Sequence, residues 1–95
     1  KIEGTGGRRR PGHVYIIRCG DGTLYTGITD DIPRRLAAHR AGKGAKYTRG
    51  RGPLELVYQE RVPDKSAALR REAAIKRLRR GEKERLIESA KSLPL

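Results

Sequence analysis

The chain has 95 residues, and its 23 Lys and Arg against 11 Asp and Glu give a formal net charge of +12. This length supports one domain with one modest core, and this charge predicts a polyanionic partner, either nucleic acid or an anionic membrane surface. The sequence has no apolar run near the ~20 residues of a membrane span and no visible signal peptide, and its single cysteine excludes an internal disulfide and a cysteine-based zinc site. We therefore expect a monomeric cytoplasmic protein that binds nucleic acid, with no membrane association.

Composition divides the chain into three parts. Residues 1–11 are rich in Gly and Arg and predict a flexible basic leader. Residues 12–90 hold the periodic apolar segments and are expected to form the domain, and residues 91–95 are expected to form a tail.

Two strands joined by a tight turn are predicted at the start of the domain. His13–Cys19 and Thr23–Ile28 are rich in β-branched and aromatic residues, and Gly20–Gly22 separates them. A two-residue turn would put Tyr15 and Tyr25 on opposite faces of the sheet, whereas a three-residue turn puts both on one face. The apolar alternation of the other face and the glycine at the third turn position favour the three-residue turn.

The two tyrosines have two interpretations. In a three-residue turn Tyr15 faces Gly27, whose missing side chain would leave open space for a ligand opposite the tyrosine. The structural alternative is that Tyr15 and Tyr25 are simply core aromatics. The residue pattern alone does not decide between them.

A first helix is predicted over residues 32–41. Asp30 or Asp31 can cap its start, Pro33 suits the first turn, and Gly42 suits the stop.

Two basic residues lie four positions apart on this helix. Arg35 and His39 are neighbours on one helix face. Arg35 lies at the edge of the buried stripe marked by Ile32 and Leu36, whereas Arg34 points toward solvent. A guanidinium binds anionic oxygens, and an imidazole moves a proton near neutral pH, so the pair resembles half of a phosphate-handling site. The alternative is two solvated residues on a basic helix.

A basic loop and a third strand follow the helix. Gly42–Pro53 is rich in Gly, Lys and Arg, and Leu54–Glu60 is predicted as the third strand. We expect the loop and the end of the helix to contact phosphates, with one tyrosine able to stack on a base or support the site. The predicted nucleic-acid-binding residues are Arg34, Arg40, Lys43, Lys46, Tyr47, Arg49 and Arg51.

Two helices complete the predicted order ββαβαα. Pro63–Asp64 opens a helix that is expected to run to about Arg80 and to end at Gly81, and Glu82–Ala90 predicts a short third helix. Three strands and three helices in this order predict a small α+β domain, with a three-stranded antiparallel sheet flanked by helices.

One carboxylate lies at an unusual place on the second helix. Glu72 is at the edge of an apolar stripe formed by Ala68, Leu69, Ile75 and Leu78. A carboxylate at such a place needs an ionic partner, which is either an arginine in a salt bridge or a metal ion. Mg²⁺ often takes only one or two protein carboxylates, and the sequence shows no acidic cluster for a two-metal site.

Together these segments resemble the GIY-YIG nuclease family. The resemblance runs from about Gly12 to Ile87 and rests on VYI, LYTG and IPRRLAAH, followed by AGKGAKYTRGRGPLELVYQE and ALRREAAIKRL. The latter two are most similar to the small, stand-alone bacterial members of the family. The order and spacing of the motifs, including the ten residues between the tyrosines, make the resemblance specific.

The resemblance implies a function and a role for each residue singled out above. It implies metal-dependent cleavage of phosphodiesters, with Mg²⁺ or Mn²⁺ on Glu72 and with Tyr15, Tyr25, Arg35 and His39 as catalytic residues. The expected substrate is nucleic acid, with DNA favoured over RNA.

The chain also departs from the family pattern. His13 and Val14 stand where the family name has Gly and Ile, and Ile28 stands where the repair nucleases of the family have a lysine. Some members also use an asparagine near the end of the domain, whereas this sequence contains no Asn. The altered motifs leave an alternative from another class, a nucleic-acid-binding module that keeps the GIY-YIG fold without catalysis.

Overall fold

A computed structural model describes residues 11–91 of the chain. The predicted α+β class and the order ββαβαα are confirmed. The predicted leader and tail lie outside the described residues, apart from Pro11 and Lys91. No helix among residues 11–91 is long and apolar enough to cross a membrane. The elements are β1 (Gly12–Arg18), β2 (Leu24–Thr29), α1 (Ile32–Arg40), a 3₁₀ turn (Lys46–Thr48), β3 (Glu55–Val62), α2 (Lys65–Lys76) and α3 (Arg80–Lys91).

The sheet is antiparallel, with β1 between β2 and β3. Ile17 lies opposite Tyr25 and Tyr15 opposite Gly27, which is the register of a three-residue turn. Gly22, the third turn residue, has a φ of 87°, a conformation that glycine adopts without strain. The predictions of this turn and of two tyrosines on one face are therefore confirmed.

The central strand is buried on both faces, because a different set of helices covers each. On one face Val14 and Ile16 pack with residues of α2 and α3, including Ala68, Ile75 and Ile87. On the other face a second cluster contains Tyr15, Ile17, Cys19, Ile32 and Leu54, with Leu36 of α1 packed against it. Burying one large aliphatic side chain contributes about 1.5–3 kcal/mol, so β1 anchors both sides of the domain. The tyrosine face is the one under α1.

The third strand is longer than predicted. The predicted strand Leu54–Glu60 begins one residue later and extends to Val62, which pairs with Gly12. Val62 is buried in the first core cluster, and this burial favours continued pairing. The register shifts between Ile16 and Ile17, so that Val57 has no partner on β1, as in a β-bulge.

The boundary between the last two helices differs from the prediction. The predicted continuation of α2 to Arg80 is wrong, since α2 ends at Lys76 and α3 begins at Arg80 with Gly81 inside it. The Glu82 carboxylate accepts a hydrogen bond of 2.8 Å from the Arg79 backbone N–H, which satisfies a donor at the start of α3. A glycine inside an exposed helix costs only about 1 kcal/mol relative to alanine, so the new start tolerates it.

The buried line of α2 is narrower than predicted. Ala68 and Ile75, seven residues apart, are buried, but Leu69 is 47% exposed, so its predicted place in the apolar stripe is wrong. The helix turns Ala68 rather than Leu69 toward the sheet, and Arg71 and Glu72 flank this line. Arg71 pairs with a carboxylate of β3, and Glu72 is left half-buried on the other side.

An ion pair explains the one arginine on the apolar face of β1. Arg18 donates two hydrogen bonds of 2.9 Å to the two carboxylate oxygens of Glu84 on α3. Hydrogen bonds from Arg18 and Arg80 hold the pKa of Glu84 at about 2. The carboxylate on α3 therefore ties the C-terminal helix to the central strand.

Candidate active site

The hydroxyl of Tyr15 lies directly above the backbone of Gly27. A Cβ atom at Gly27 would come within 2.5 Å of the Tyr15 hydroxyl oxygen and 3.0 Å of the Tyr25 ring. The expectation of open ligand space opposite Tyr15 is therefore wrong, because the tyrosine fills that space itself. Glycine at this position lets Tyr15 lean across β2, the edge strand of the sheet.

A hydrogen-bonded row runs from Tyr15 through His39 to the basic loop. The Tyr15 hydroxyl oxygen is 2.8 Å from His39 Nε2, and His39 Nδ1 is 2.9 Å from Thr48 Oγ1. His39 is 1% exposed and Thr48 is 2% exposed, so both hydrogen bonds are shielded from bulk water. A side chain on Gly44 would overlap the His39 imidazole, which explains the glycine there.

Aromatic contacts join the second tyrosine to this row. The Tyr25 ring centroid is 6.3 Å from that of Tyr15 and 5.4 Å from the His39 ring, which it meets edge-on. The Tyr25 ring also stacks on the Tyr47 ring, with the two centroids 5.8 Å apart and an angle of 28° between the ring planes. The Arg51 guanidinium lies 4.5 Å from the Tyr47 ring centroid. Tyr47 thus contacts Tyr25, and base stacking by Tyr47 stays a prediction.

Arg35 brings a positive charge to both tyrosine hydroxyls. Arg35 and Tyr15 line one small cavity under α1, and the guanidinium interacts with the hydroxyls of Tyr15 and Tyr25. Burial raises the pKa of Tyr15, Arg35 opposes this rise, and the nearby Tyr25 and Glu72 add to it. Burial and then the charge of Arg35 lower the pKa of His39. His39 is therefore neutral near pH 7 and able to accept a proton.

Glu72, on α2, acts electrostatically on Tyr15. Its side chain is 19% exposed, and it pairs with Lys76 Nζ at 3.3 Å, so the predicted arginine partner is a lysine. Within residues 11–91 no group of three His, Cys, Asp or Glu side chains could hold a metal ion. A single half-buried carboxylate suits Mg²⁺, which keeps several waters and needs only one or two protein ligands.

The six cationic residues predicted to bind nucleic acid fall into two groups. Lys43, Lys46 and Arg49 are exposed, and no carboxylate of the described chain lies within 4.0 Å of their charges. The other arginines are engaged: Arg34 with Asp30 at 2.9 Å, Arg40 with the Leu54 carbonyl at 3.1 Å and Arg51 with Asp21 at 2.6 Å. The loop therefore presents the free cations of this surface at its tip.

Two residues of the site were not predicted from sequence. Thr48 and Gly44 lie in a loop, where no periodicity marks which side chains are buried. A buried threonine among basic residues gives no signal until the position of His39 is known.

Comparisons with known proteins agree with this architecture. Residues 11–85 match the GIY-YIG catalytic domain. UPF0213 protein NP_0776A of Natronomonas pharaonis is 59% identical over 75 residues, which cover 79% of this chain and 88% of that protein. UPF0213 protein SH2523 of Staphylococcus haemolyticus is 53% identical over 76 residues, which cover 80% of this chain and 93% of that protein.

Two solution NMR structures are also similar. UPF0213 protein BH0048 from Bacillus halodurans has a TM-score of 0.54 at 50% identity, covering 82% of this chain and 83% of that one. Protein EF2693 from E. faecalis has a TM-score of 0.62 at 34% identity, covering 92% and 93%. The match over residues 11–85 and these small bacterial and archaeal relatives show that the chain belongs to the GIY-YIG family, a nuclease superfamily.

Proposed function

We propose that this protein is a divalent-metal-dependent endonuclease that cleaves phosphodiester bonds of nucleic acid, DNA ahead of RNA. The observation that carries the proposal is the convergence of Tyr15, Tyr25, Arg35 and His39, with Glu72 close enough to affect the pKa of Tyr15. Each group has a use in phosphodiester hydrolysis, and the family is a nuclease superfamily. The free, buried thiol of Cys19 suits a reducing cytoplasm.

The proton acceptor of the proposed reaction is the pair of Tyr15 and His39. His39 is neutral near pH 7, and its Nε2 is 2.8 Å from the Tyr15 oxygen, so a proton taken from water can pass into this pair. Tyr25 is less buried than Tyr15 and orients the attacking water from the open side. Positioned acid–base groups of this kind typically contribute about 10²–10⁴-fold to a rate.

Arg35 and Glu72 supply the charges. Arg35 stabilises negative charge as it develops on the phosphate oxygens or on a tyrosine oxygen, in a half-buried place where such interactions are strengthened. Glu72 would hold Mg²⁺ or Mn²⁺, which when bound supplies Lewis-acid stabilisation of the phosphate and of the leaving oxygen. The ion pair with Lys76 is compatible with this role, since a partly exposed pair contributes little stability.

The experiment that tests the proposal is a cleavage assay with matched metal conditions. Supercoiled plasmid, single-stranded DNA and RNA are each incubated with the protein in Mg²⁺, in Mn²⁺ and in EDTA. We expect nicked or shortened products with metal, intact substrate in EDTA, and faster cleavage of DNA than of RNA. Binding without products under both metals would instead favour the non-catalytic binding module.

The salt dependence of binding should locate the contact surface. Replacing Lys43, Lys46 and Arg49 together by Ala removes the free cations of the loop tip. Binding should then release fewer of the counterions that are condensed on the nucleic acid. On duplex DNA the log–log salt slope should become shallower by about 2–3, since each neutralised phosphate contributes roughly 0.9. Fluorescence anisotropy over a salt series in EDTA measures this slope.

A charge-matched variant controls for net charge. Replacing Arg70, Arg85 and Lys91 by Ala removes the same charge from exposed positions of α2 and α3. Its salt slope should change by less than about 1, because distant charges are screened beyond ~10 Å. Equal changes in both variants would show that the loop is not the contact surface.

A further inference from the structure

The hydrogen-bonded row through His39 continues to a carbonyl of the loop. Thr48 Oγ1 is 2.9 Å from His39 Nδ1 and donates to the Ala45 carbonyl oxygen at 3.0 Å. A hydroxyl carries one proton, and two oxygens 3.0 Å apart repel each other unless a proton lies between them. The Thr48 proton is therefore directed at Ala45, and Thr48 can only accept from His39.

The position of the single N–H proton of the neutral imidazole follows from this direction. If Thr48 accepts, His39 carries its proton on Nδ1 and leaves a lone pair on Nε2, because a neutral imidazole has one donor and one acceptor. The charge state agrees, since burial and Arg35 lower the pKa of His39. The Tyr15 hydroxyl then donates its proton to Nε2 across the 2.8 Å contact.

The surroundings of Tyr15 favour the same direction. The Arg35 guanidinium, which interacts with the Tyr15 oxygen, can only donate hydrogen bonds. If His39 also donated, the Tyr15 oxygen would face two donors and its own buried proton would need another acceptor. The Nδ1–H form of His39 satisfies every member of the row.

We infer that Thr48 is a positioning residue, which holds His39 in the Nδ1–H form so that Nε2 faces Tyr15 as a proton acceptor. The catalytic consequence rests on the proposed nuclease function, whereas the tautomer itself does not. Thr48 lies in the same 3₁₀ turn as Lys46 and Tyr47. Lys46 is exposed to solvent, and Tyr47 is stacked on Tyr25. The turn that presents a phosphate-binding lysine thereby also sets the proton acceptor.

The first test is the protonation of the imidazole nitrogens, measured by ¹⁵N NMR of ¹⁵N-histidine-labelled protein at pH 7.5. We expect a single form for His39, with the proton on Nδ1 and none on Nε2. Thr48→Val keeps the shape but removes the acceptor, and its spectrum should move toward a mixture of the two neutral forms. Thr48→Ser keeps the hydroxyl and should retain the wild-type pattern. A wild-type proton on Nε2, or an unchanged pattern in Thr48→Val, would overturn the inference.

The second test separates positioning from folding. Single-turnover cleavage by Thr48→Val should fall at least about tenfold, which is part of the ~10²–10⁴-fold contribution of one acid–base group, and Thr48→Ser should restore it to within about twofold. If the wild type cleaves nothing, the proposed function fails while the NMR result still decides the role of Thr48. If the wild type cleaves and both variants match its rate, the positioning role is wrong. His13, the other histidine of the chain, serves as the internal spectral control in all three proteins.

Discussion

Replacing Glu72 by Gln should abolish cleavage and leave nucleic-acid binding in EDTA nearly unchanged. Glutamine keeps the shape of the side chain and loses the charge that a hard divalent cation requires. Lewis-acid stabilisation is worth several kcal/mol and each ~1.4 kcal/mol is tenfold in rate, so we expect a rate below about a thousandth of wild type. The measurements are single-turnover cleavage and anisotropy on one preparation.

Thermal stability distinguishes a metal ligand from a purely structural ion pair. The pair with Lys76 is of the i,i+4 type and contributes only about 0.3–0.5 kcal/mol, and the change also removes the cost of a half-buried charge. The melting temperature of the metal-free Glu72→Gln variant should therefore stay within about 3 °C of wild type, or rise slightly.

An exposed carboxylate on α3 provides the matched control. Glu88→Gln removes the same charge from an exposed position of α3, which packs on the sheet face that does not carry the tyrosines, and should leave cleavage unchanged. A Glu72→Gln variant that is destabilised but fully active would remove Glu72 from the site and leave only its structural role.

The part of the site that lies on regular elements was predictable from sequence. Strand alternation and the glycine at the third turn position placed Tyr15 and Tyr25 on one face, and helical spacing placed Arg35 and His39 on one side of α1. These periodicities are properties of the backbone, so they hold before any packing is known. The half-buried place of Glu72 followed from the same reasoning.

What was missed depends on packing between elements. The open space expected at Gly27 is filled because Tyr15 leans across it. The residue pattern of one strand does not predict the direction in which a side chain leans over its neighbour. The break before Arg80 is set by the Glu82 carboxylate capping Arg79, whereas the glycine next to it appeared to be the natural stop. Tertiary contacts override local propensity at such places.

The sequence predicted that the basic loop contacts phosphates, but it predicted no secondary structure within the loop. Its Lys and Arg residues indicated a phosphate surface, but composition does not distinguish a free cation from one that a neighbour holds. Arg51 forms an ion pair with Asp21. Hydrogen bonds from Thr23 and from this arginine lower the pKa of Asp21 to about 2. Thr48 is buried in the same segment, so one loop combines a solvated surface with part of the site.

Replacing Arg35 by Ala should slow cleavage by about a hundredfold or more, the loss expected for one donor that stabilises charge in the transition state. The reason is the position of the guanidinium, because Arg35 interacts with the hydroxyls of both Tyr15 and Tyr25. Its loss should lower the rate at saturating protein more than it weakens binding. Single-turnover rates over a range of protein concentration separate the two effects.

Two further variants show whether this effect depends on the guanidinium or on charge alone. Arg35→Lys keeps the charge but not the planar fork of donors, so it should recover part of the rate and remain clearly below wild type. Arg85→Ala removes an equal charge from exposed α3 and should change the rate by less than about twofold, since a screened surface charge acts mainly on association. If Arg35→Ala and Arg85→Ala lost only affinity, and to the same extent, Arg35 would be one more surface cation, and the transition-state charge would need another partner.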